Sequence, residues 1–511
     1  MFKIFRILHR NNFFLFDVYI FLTLFTYGIQ IITTNLLLQD KICRLHYNQS
    51  QFFCQHINED IFEGDDKIIK DRILSSAALF NNYSNLIQAI PMFIWSLFFG
   101  SFLDRQTGAT RMIFAWISLL SVFTAIFYLV NIFDFSIDPY ILLFTGITGY
   151  LTGGMATFLT VTHRYMIINT DQEYRTLRFT IFQIYLIVAV SLGSLLGGHL
   201  IWLVSDRGEL LRNYDLNMWI VLALQVFSFI MILVIGIDRK EDPNLSEIHR
   251  DVDKTIIDQI DESNPELNSD RNRSYSFNSY TNITNMSKYR LRSHINYTCR
   301  SFFDVGNVRQ TFRCLIQPRM NRIREQIMLL ILLLFLQFLN SYGMDSMFLQ
   351  FSQKVYHFDS KTYSNVSALS KVIPSIALLI SSHILVNRLN WKDGTILTVT
   401  FSTGFISQVL IGTFATPTVY LVALVIGSIS GLSAVVLKTK ISKLIPKDEV
   451  GKIFSVISTI ESLVPFLGTL IFSTIFSASV STYPTLIYHV SAAMTLLGLI
   501  LALFQDLYFH D

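Results

Sequence analysis

Apolar residues in this chain run on for lengths that neither a soluble helix nor a strand requires. The runs fall at 13–38, 83–103, 112–131, 139–162, 179–204 and 217–237, then at 326–350, 363–386, 394–413, 418–437, 453–477 and 484–506. Each approaches the ~20 residues an α-helix needs to cross a hydrocarbon core. Within lipid every backbone N–H and C=O must find a partner inside the segment, which leaves helices, and the runs are too long and unbroken for barrel strands. The pattern predicts an all-α integral membrane protein with twelve transmembrane helices. Residues 13–238 form an N-terminal six-helix bundle with a loop at 39–82, and residues 326–506 form a C-terminal six-helix bundle. A polar insert, 239–325, joins them, and 1–12 and 507–511 are short tails.

Charge sharpens this picture. Only 15% of the 511 residues are charged, against roughly 25% in soluble domains. The insert alone holds 15 Lys/Arg and 12 Asp/Glu, more than a third of all charges. A globular enzyme, a nucleic-acid binder and a wholly disordered chain are excluded. The N-terminal tail and the short connections on its side of the membrane carry 15 Lys/Arg, and the short connections opposite carry 4. Basic residues stay on the cytoplasmic side, so both termini and the insert are expected there. The insert is rich in Asn, Ser, Asp and Arg without apolar periodicity, and is read as largely disordered, either a tether or a regulatory linker.

Cys43 and Cys54 share the first external loop, an oxidising setting in which they can close a small ring. Cys299 and Cys314 lie in the cytoplasmic insert and are expected to be free thiols. Asn48-Gln49-Ser50 is a glycosylation triplet in the external loop. The chain shows no zinc-ligand spacing, phosphate-binding loop or nucleophile elbow, so no cofactor and no covalent catalysis are expected, and the apolar runs call for a lipid bilayer around them.

Between the second and third runs the chain reads Gly100-Ser-Phe-Leu-Asp104-Arg105-Gln-Thr-Gly108-Ala-Thr-Arg111. This resembles the signature of the major facilitator superfamily, in which the aspartate and its basic neighbours latch the cytoplasmic side. The resemblance implies gating roles for Gly100, Asp104, Arg105, Gly108 and Arg111, although Ala109 and Thr110 stand where basic residues are usual. A narrower resemblance, to solute carrier family 46 (the proton-coupled folate transporter and its thymic relatives), rests on three patches. They are Arg175-Thr176-Leu177-Arg178 with Ser194 to His199, Lys438-Thr439-Lys440 through Phe454-Ser455, and Asp345 followed by Asp359-Ser360-Lys361. It implies two six-helix bundles rocking about a central site, and an organic anion such as a folate or a peptidoglycan fragment. The departures fall at the coupling positions. Gln183 replaces the folate branch's coupling glutamate, Asn340 its histidine, and Lys438 an arginine. His357 replaces the external cysteine that bonds to the first loop in relatives, which frees Cys43 to pair with Cys54.

An ionisable residue inside a span is a functional candidate by default. Glu461 and Lys371 lie deep in their spans and Asp345 in the outer third of its own. Glu461 and Lys371 are expected either to pair or to face a cavity, where Lys371 meets an anionic solute and Glu461 or Asp345 carries a proton. Gln30, Gln183 and Asn340 supply uncharged hydrogen-bonding groups for the solute. Arg178 and Lys438 are expected at cytoplasmic helix ends, as solute or gating contacts. The resulting expectation is a secondary transporter, in the plasma or endolysosomal membrane, that couples an organic anion to protons. The alternatives are an uncoupled uniporter and a transporter-like receptor that signals through the insert.

Overall fold

The computed structural model of the chain describes residues 13–57, 65–105, 109–201, 212–235, 305–317, 319, 322–358, 360–446, 449–479 and 482–509. Twelve long helical segments cross it. In the first half they are α1 (Phe13–Lys41), α2 (Asp65–Arg105), α3 (Ala109–Phe133), α4 (a 3-10 turn at Pro139–Gly146, then Ile147–Thr152 and Gly154–Asn169), α5 (Arg175–Leu200) and α6 (Tyr214–Val234). In the second they are α7 (Ile323–Val355), α8 (Ser360–Ser381), α9 (Asp393–Thr413), α10 (Pro417–Gly427, a 3-10 turn at Ser428–Gly431, then Leu432–Leu444), α11 (Val450–Ser479) and α12 (Leu486–Tyr508). Eleven segments are long and apolar enough to cross a membrane among the described residues, and α2, which carries the apolar run 83–103, is the twelfth helix of the bundle.

α2 begins eighteen residues before that run, inside the expected loop. Residues 65–82 contain no Gly or Pro to stop a helix, and Asp65 and Asp66 complement the positive end of its dipole. Between α1 and α2 the described residues form a π-turn at Ile42–His46 and the short helix Gln51–Gln55, in which the Phe53 N–H donates to the Ser50 hydroxyl. The Cys43–Cys54 disulfide joins these two pieces. Gly153 and Gly154 adopt φ of 75° and 51°, and this pair of left-handed residues divides α4. Trp95 of α2 donates to the Tyr150 carbonyl beside the break, at 2.6 Å.

For convenience the two ends are named by what they carry. The disulfide end holds Cys43–Cys54, and the basic end holds the connections rich in Lys and Arg. Core packing differs sharply between them. Near the basic end one continuous apolar core draws on both halves, from Phe16, Phe114 and Phe179 to Leu334, Val436 and Phe454. Toward the disulfide end that core splits. One cluster, including Ile29, Ile73, Leu129 and Met218, belongs only to the first half, and another, including Phe351, Ile411, Phe472 and Ile487, only to the second. Among the described residues, then, the apolar core shared by both halves lies near the basic end, and toward the disulfide end each half keeps a core of its own.

Residues 236–304 of the insert, with Cys299, lie outside the described residues. Its last part is a helix, Val305–Ile316, packed against α2, α7 and α11. Thr311 and Cys314 face inward, and Arg309 and Arg313 face out, an amphipathic spacing hidden within a polar stretch. Cys314 is a free, buried thiol, and Arg319 bonds to its carbonyl at 3.2 Å and to Glu449. Burial, reinforced by the Glu449 carboxylate, pushes the thiol up to about 12. The thiolate is the nucleophile, so maleimide labelling of Cys314 at neutral pH is expected to be on the order of 10³-fold slower than that of an unfolded cysteine peptide. The raised value means that the thiol's contribution to docking is fully present below the ordinary thiol pKa and is lost as pH rises toward about 12. Mass spectrometry of the labelled peptide checks this, and labelling at the peptide rate would mean that the helix does not stay docked.

Candidate functional site

Two partly polar cavities, the first and second lobes, lie within the bundle. The first, about 510 Å³, lies among α1, α2, α3, α4 and α6. Gln30, Asn35, Gln88, Ser118, Thr124 and Tyr128 are among its hydrogen-bonding side chains, and none of the described residues that line it is charged. The second, about 390 Å³, lies among α7 to α10, α12 and one face of α5. Gln183 reaches it from the first half, Gln337, Asp345, Lys371 and Gln408 from the second, and Phe348, Tyr420 and Tyr488 supply aromatic surface. Tyr27 of α1 lines the first lobe and Tyr342 of α7 the second.

These two helices repeat a motif. Tyr27-Gly28-Ile29-Gln30 in α1 is matched by Tyr342-Gly343-Met344-Asp345 in α7. In each case the tyrosine and the fourth residue face a lobe, while the glycine turns to a neighbouring helix. Gly28 lies against Val190 and Ser194 of α5, and Gly343 against Phe472 of α11. The partner helices answer with glycines of their own, Gly193 against the Phe25 carbonyl and Gly468 against Gly343. The result is one half-site built twice, neutral in the first copy and charged in the second. α4 and α10, the fourth helices of their halves, are both interrupted where they border the lobes, α4 by the left-handed pair Gly153–Gly154 and α10 by the 3-10 turn at Ser428–Gly431. Interrupted helices at matching positions are the pattern that marks a central binding site in transporters built from repeats.

Buried charge is organised in pairs, and the pairing differs from the sequence expectation. Lys371 bonds to Asp345, not to Glu461. Glu461 is held instead by Lys438 of α10 at 2.5 Å, with both side chains almost fully buried. Pairing depends on how neighbouring helices are rotated, which span hydropathy does not report. Lys438 is accordingly no helix-end residue. Its ammonium also approaches the His163 Nε2 of α4 at 3.5 Å and the Phe338 ring at 5.4 Å, so it bridges the two halves within the shared core. Phe179, Phe182 and Phe454 surround the His163 ring. A second polar bridge between halves runs from Arg175 to the Ser442 carbonyl at 2.7 Å.

Arg178 does sit in the first turn of α5, but it lines neither lobe. It grips Asp17 of α1 through two hydrogen bonds, at 2.7 and 2.5 Å, with both partners buried. Asn340 also lies outside the lobes, donating to Thr495 at 2.9 Å and accepting from Ser491 at 2.6 Å. It ties α7 to α12. Gln30, Gln183, Asp345 and Lys371 are thus the expected solute and coupling residues that the fold brings to the cavity. Gly100, Asp104 and Arg105 occupy the last turns of α2 and Arg111 the first of α3, while Gly108 and Asp359 lie outside the described residues. Among the described residues no cluster of His, Cys, Asp or Glu can hold a metal ion. Sequence reasoning missed Asp17, His163 and the Tyr-Gly repeat. The repeat was detectable by aligning α1 with α7, whereas His163 falls one residue beyond the apolar run 139–162 and only the longer helix Gly154–Asn169 brings it inside.

The chain matches the sequence profile of the Major Facilitator Superfamily over residues 85–469. Among solved structures it is similar to the human organic anion transporter MFSD10 (TETRAN), with a TM-score of 0.63 and 11% identity over 95% of this chain and 98% of that one. It is also similar to a bacterial homologue of the iron transporter ferroportin in an outward-facing state (TM-score 0.56, 14% identity, 94% and 99% coverage). The proton:xylose symporter XylE gives a TM-score of 0.54 at 12% identity, with 95% and 96% coverage. At these identities the likeness is one of fold. No curated protein sequence matches the chain.

Proposed function

The chain belongs to the Major Facilitator Superfamily, and on that premise we propose that it carries a small organic solute bearing a carboxylate across the membrane by alternating access, with protons as the coupling ion. The observation that carries this reading is the asymmetry of the core, continuous between the halves at the basic end and divided toward the disulfide end. A solute enters between the separated faces, and rocking of the halves then exchanges which end is sealed. Gln30 and Gln183 offer it amides, and Lys371 offers the positive charge that supports an anionic group. The patches shared with solute carrier family 46 favour the same class, in which folate-like molecules and peptidoglycan fragments fall.

Glu461 is the coupling carboxylate in this account. Its Oε2 is buried with no hydrogen-bond partner among the described residues, while its other oxygen holds Lys438 at the junction of the halves. A proton on Glu461 would leave Lys438 a buried ammonium without its counter-ion, which destabilises the junction that Lys438 bridges. Proteoliposomes under an inward proton gradient, screened with radiolabelled folates, short peptides and peptidoglycan fragments, test it. The wild type is expected to concentrate its solute above equilibrium. Glu461→Gln, made together with Lys438→Gln so that no lone ammonium is buried, is expected only to equilibrate it. Accumulation unchanged in the variant would remove Glu461 from the mechanism, and wild-type uptake that ignores the gradient would make the protein a uniporter.

The basic end faces the cytoplasm in this reading, which places Asn48 outside. Asn48 is exposed, beside the disulfide. A glycosidase-sensitive mass shift, lost in Asn48→Gln, is expected on gels of protein from eukaryotic membranes, and its absence would remove Asn48 from the glycosylation account.

A further inference from the structure

The second lobe is electrically self-balanced. Asp345 and Lys371 bond to each other, yet their side chains remain 56% and 39% exposed, and both line the cavity. Lys371 has three donors and gives one to Asp345 Oδ1. Gln408 in the same lobe has a buried amide oxygen with no hydrogen-bond partner among the described residues. An ammonium group would find two acceptors here, a carboxylate and an amide, and a carboxylate would find one cation. The lobe is therefore equipped for both signs.

We infer that the second lobe recognises a zwitterion, an ammonium and a carboxylate carried on neighbouring atoms of one solute, with the ammonium on Asp345 and Gln408 and the carboxylate on Lys371. This rests on the transport reading above and narrows its solute class. The electrostatic reason is charge conservation. A simple anion adds a second carboxylate to a site with one ammonium, and two carboxylates sharing one cation repel each other. A simple amine creates the mirror problem. A zwitterion opens the internal ion pair and replaces it with two, leaving the lobe's net charge unchanged. Phe348, Tyr420 and Tyr488 then face the solute's apolar part.

Three probes on one skeleton test the assignment: phenylalanine, 3-phenylpropionate (no ammonium) and phenethylamine (no carboxylate). Binding to the purified full-length protein is read as probe-dependent stabilisation against heat and as displacement of radiolabelled phenylalanine at neutral pH. The wild type is expected to prefer phenylalanine over either partial analogue by about tenfold or more, the factor commanded by one charge-assisted hydrogen bond. Asp345→Asn frees Lys371 and is expected to invert the preference toward 3-phenylpropionate. Lys371→Gln is expected to invert it toward phenethylamine. The exchanged pair Asp345→Lys with Lys371→Asp keeps the internal ion pair, protects against misfolding, and is expected to restore the preference for phenylalanine.

A wild type that prefers 3-phenylpropionate, or binds none of the three, overturns the zwitterion assignment. So does an order of preference that neither single variant changes. These outcomes leave the transport reading intact, because gradient-driven uptake of another solute in the proteoliposome screen decides that separately.

Discussion

Arg178→Ala is expected to cost about 3–5 kcal/mol of stability, the usual penalty for removing one partner of a buried ion pair. Asp17 would be left as a buried carboxylate that has lost both hydrogen bonds from the guanidinium. The pair joins α1 to α5, which pack along their length, so the loss falls on the first half as a whole. Arg178→Lys is expected to recover only part of it, because an ammonium cannot reproduce the two-pronged geometry. Asp17→Asn combined with Arg178→Gln is expected to recover more, since neither residue then needs a counter-ion. Thermal midpoints of the four proteins in the same detergent check the order. A destabilisation under about 1 kcal/mol for Arg178→Ala, the range of exposed pairs, would mean that Asp17 is solvated.

The second large effect concerns the glycines where helices meet backbone to backbone. A Cβ on Gly193 would overlap the Phe25 carbonyl of α1, and one on Gly28 would overlap the Val190 carbonyl of α5. Backbone atoms cannot step aside as a flexible side chain does, so the helices must separate. Overpacking a well-packed core costs about 1–3 kcal/mol where side chains can yield, and Gly193→Val is expected to exceed that range and abolish the monodisperse folded protein. At Gly198 a Cβ would enter open space, with nothing within 4 Å, and Gly198→Ala is the control expected to behave as wild type. Size-exclusion profiles of the two variants decide it, and a normal profile for Gly193→Val would contradict the α1–α5 contact.

The hydrophobic pattern was enough for the all-helical membrane fold and, to within one span, for the number of apolar helices, because bilayer thickness acts directly on span length. It was weaker where amphipathic segments matter. Residues 65–82 look like loop by hydropathy, yet nothing in them halts a helix, and the inward spacing of Thr311 and Cys314 was masked by polar neighbours. Span depth singled out Lys371, Glu461 and Asp345, but not their partners. Lys371 meets Asp345 and Glu461 meets Lys438 because α7 to α11 are rotated to face one another in that way. Rotation is set by packing of small residues such as Gly343 and Gly468, whose effect appears only once the neighbours are known. Arg178 was marked for its charge, and its actual role depends on Asp17, which looked like an ordinary residue near a span's start.

Alternating access makes a reciprocal demand on the two ends, and pulsed double electron–electron resonance measures it most directly. One pair of spin labels, at Gln172 and Lys392, spans the halves at the basic end, and another, at Ser136 and Thr482, spans them at the disulfide end. All four positions are exposed, and Cys299 and Cys314 are replaced by serine. In lipid nanodiscs, across acid and neutral pH, the account predicts two populations. The first has a short basic-end distance and a long disulfide-end distance, as in the structure, and the second has both reversed. A single basic-end distance under every condition, or both ends lengthening together, would contradict it.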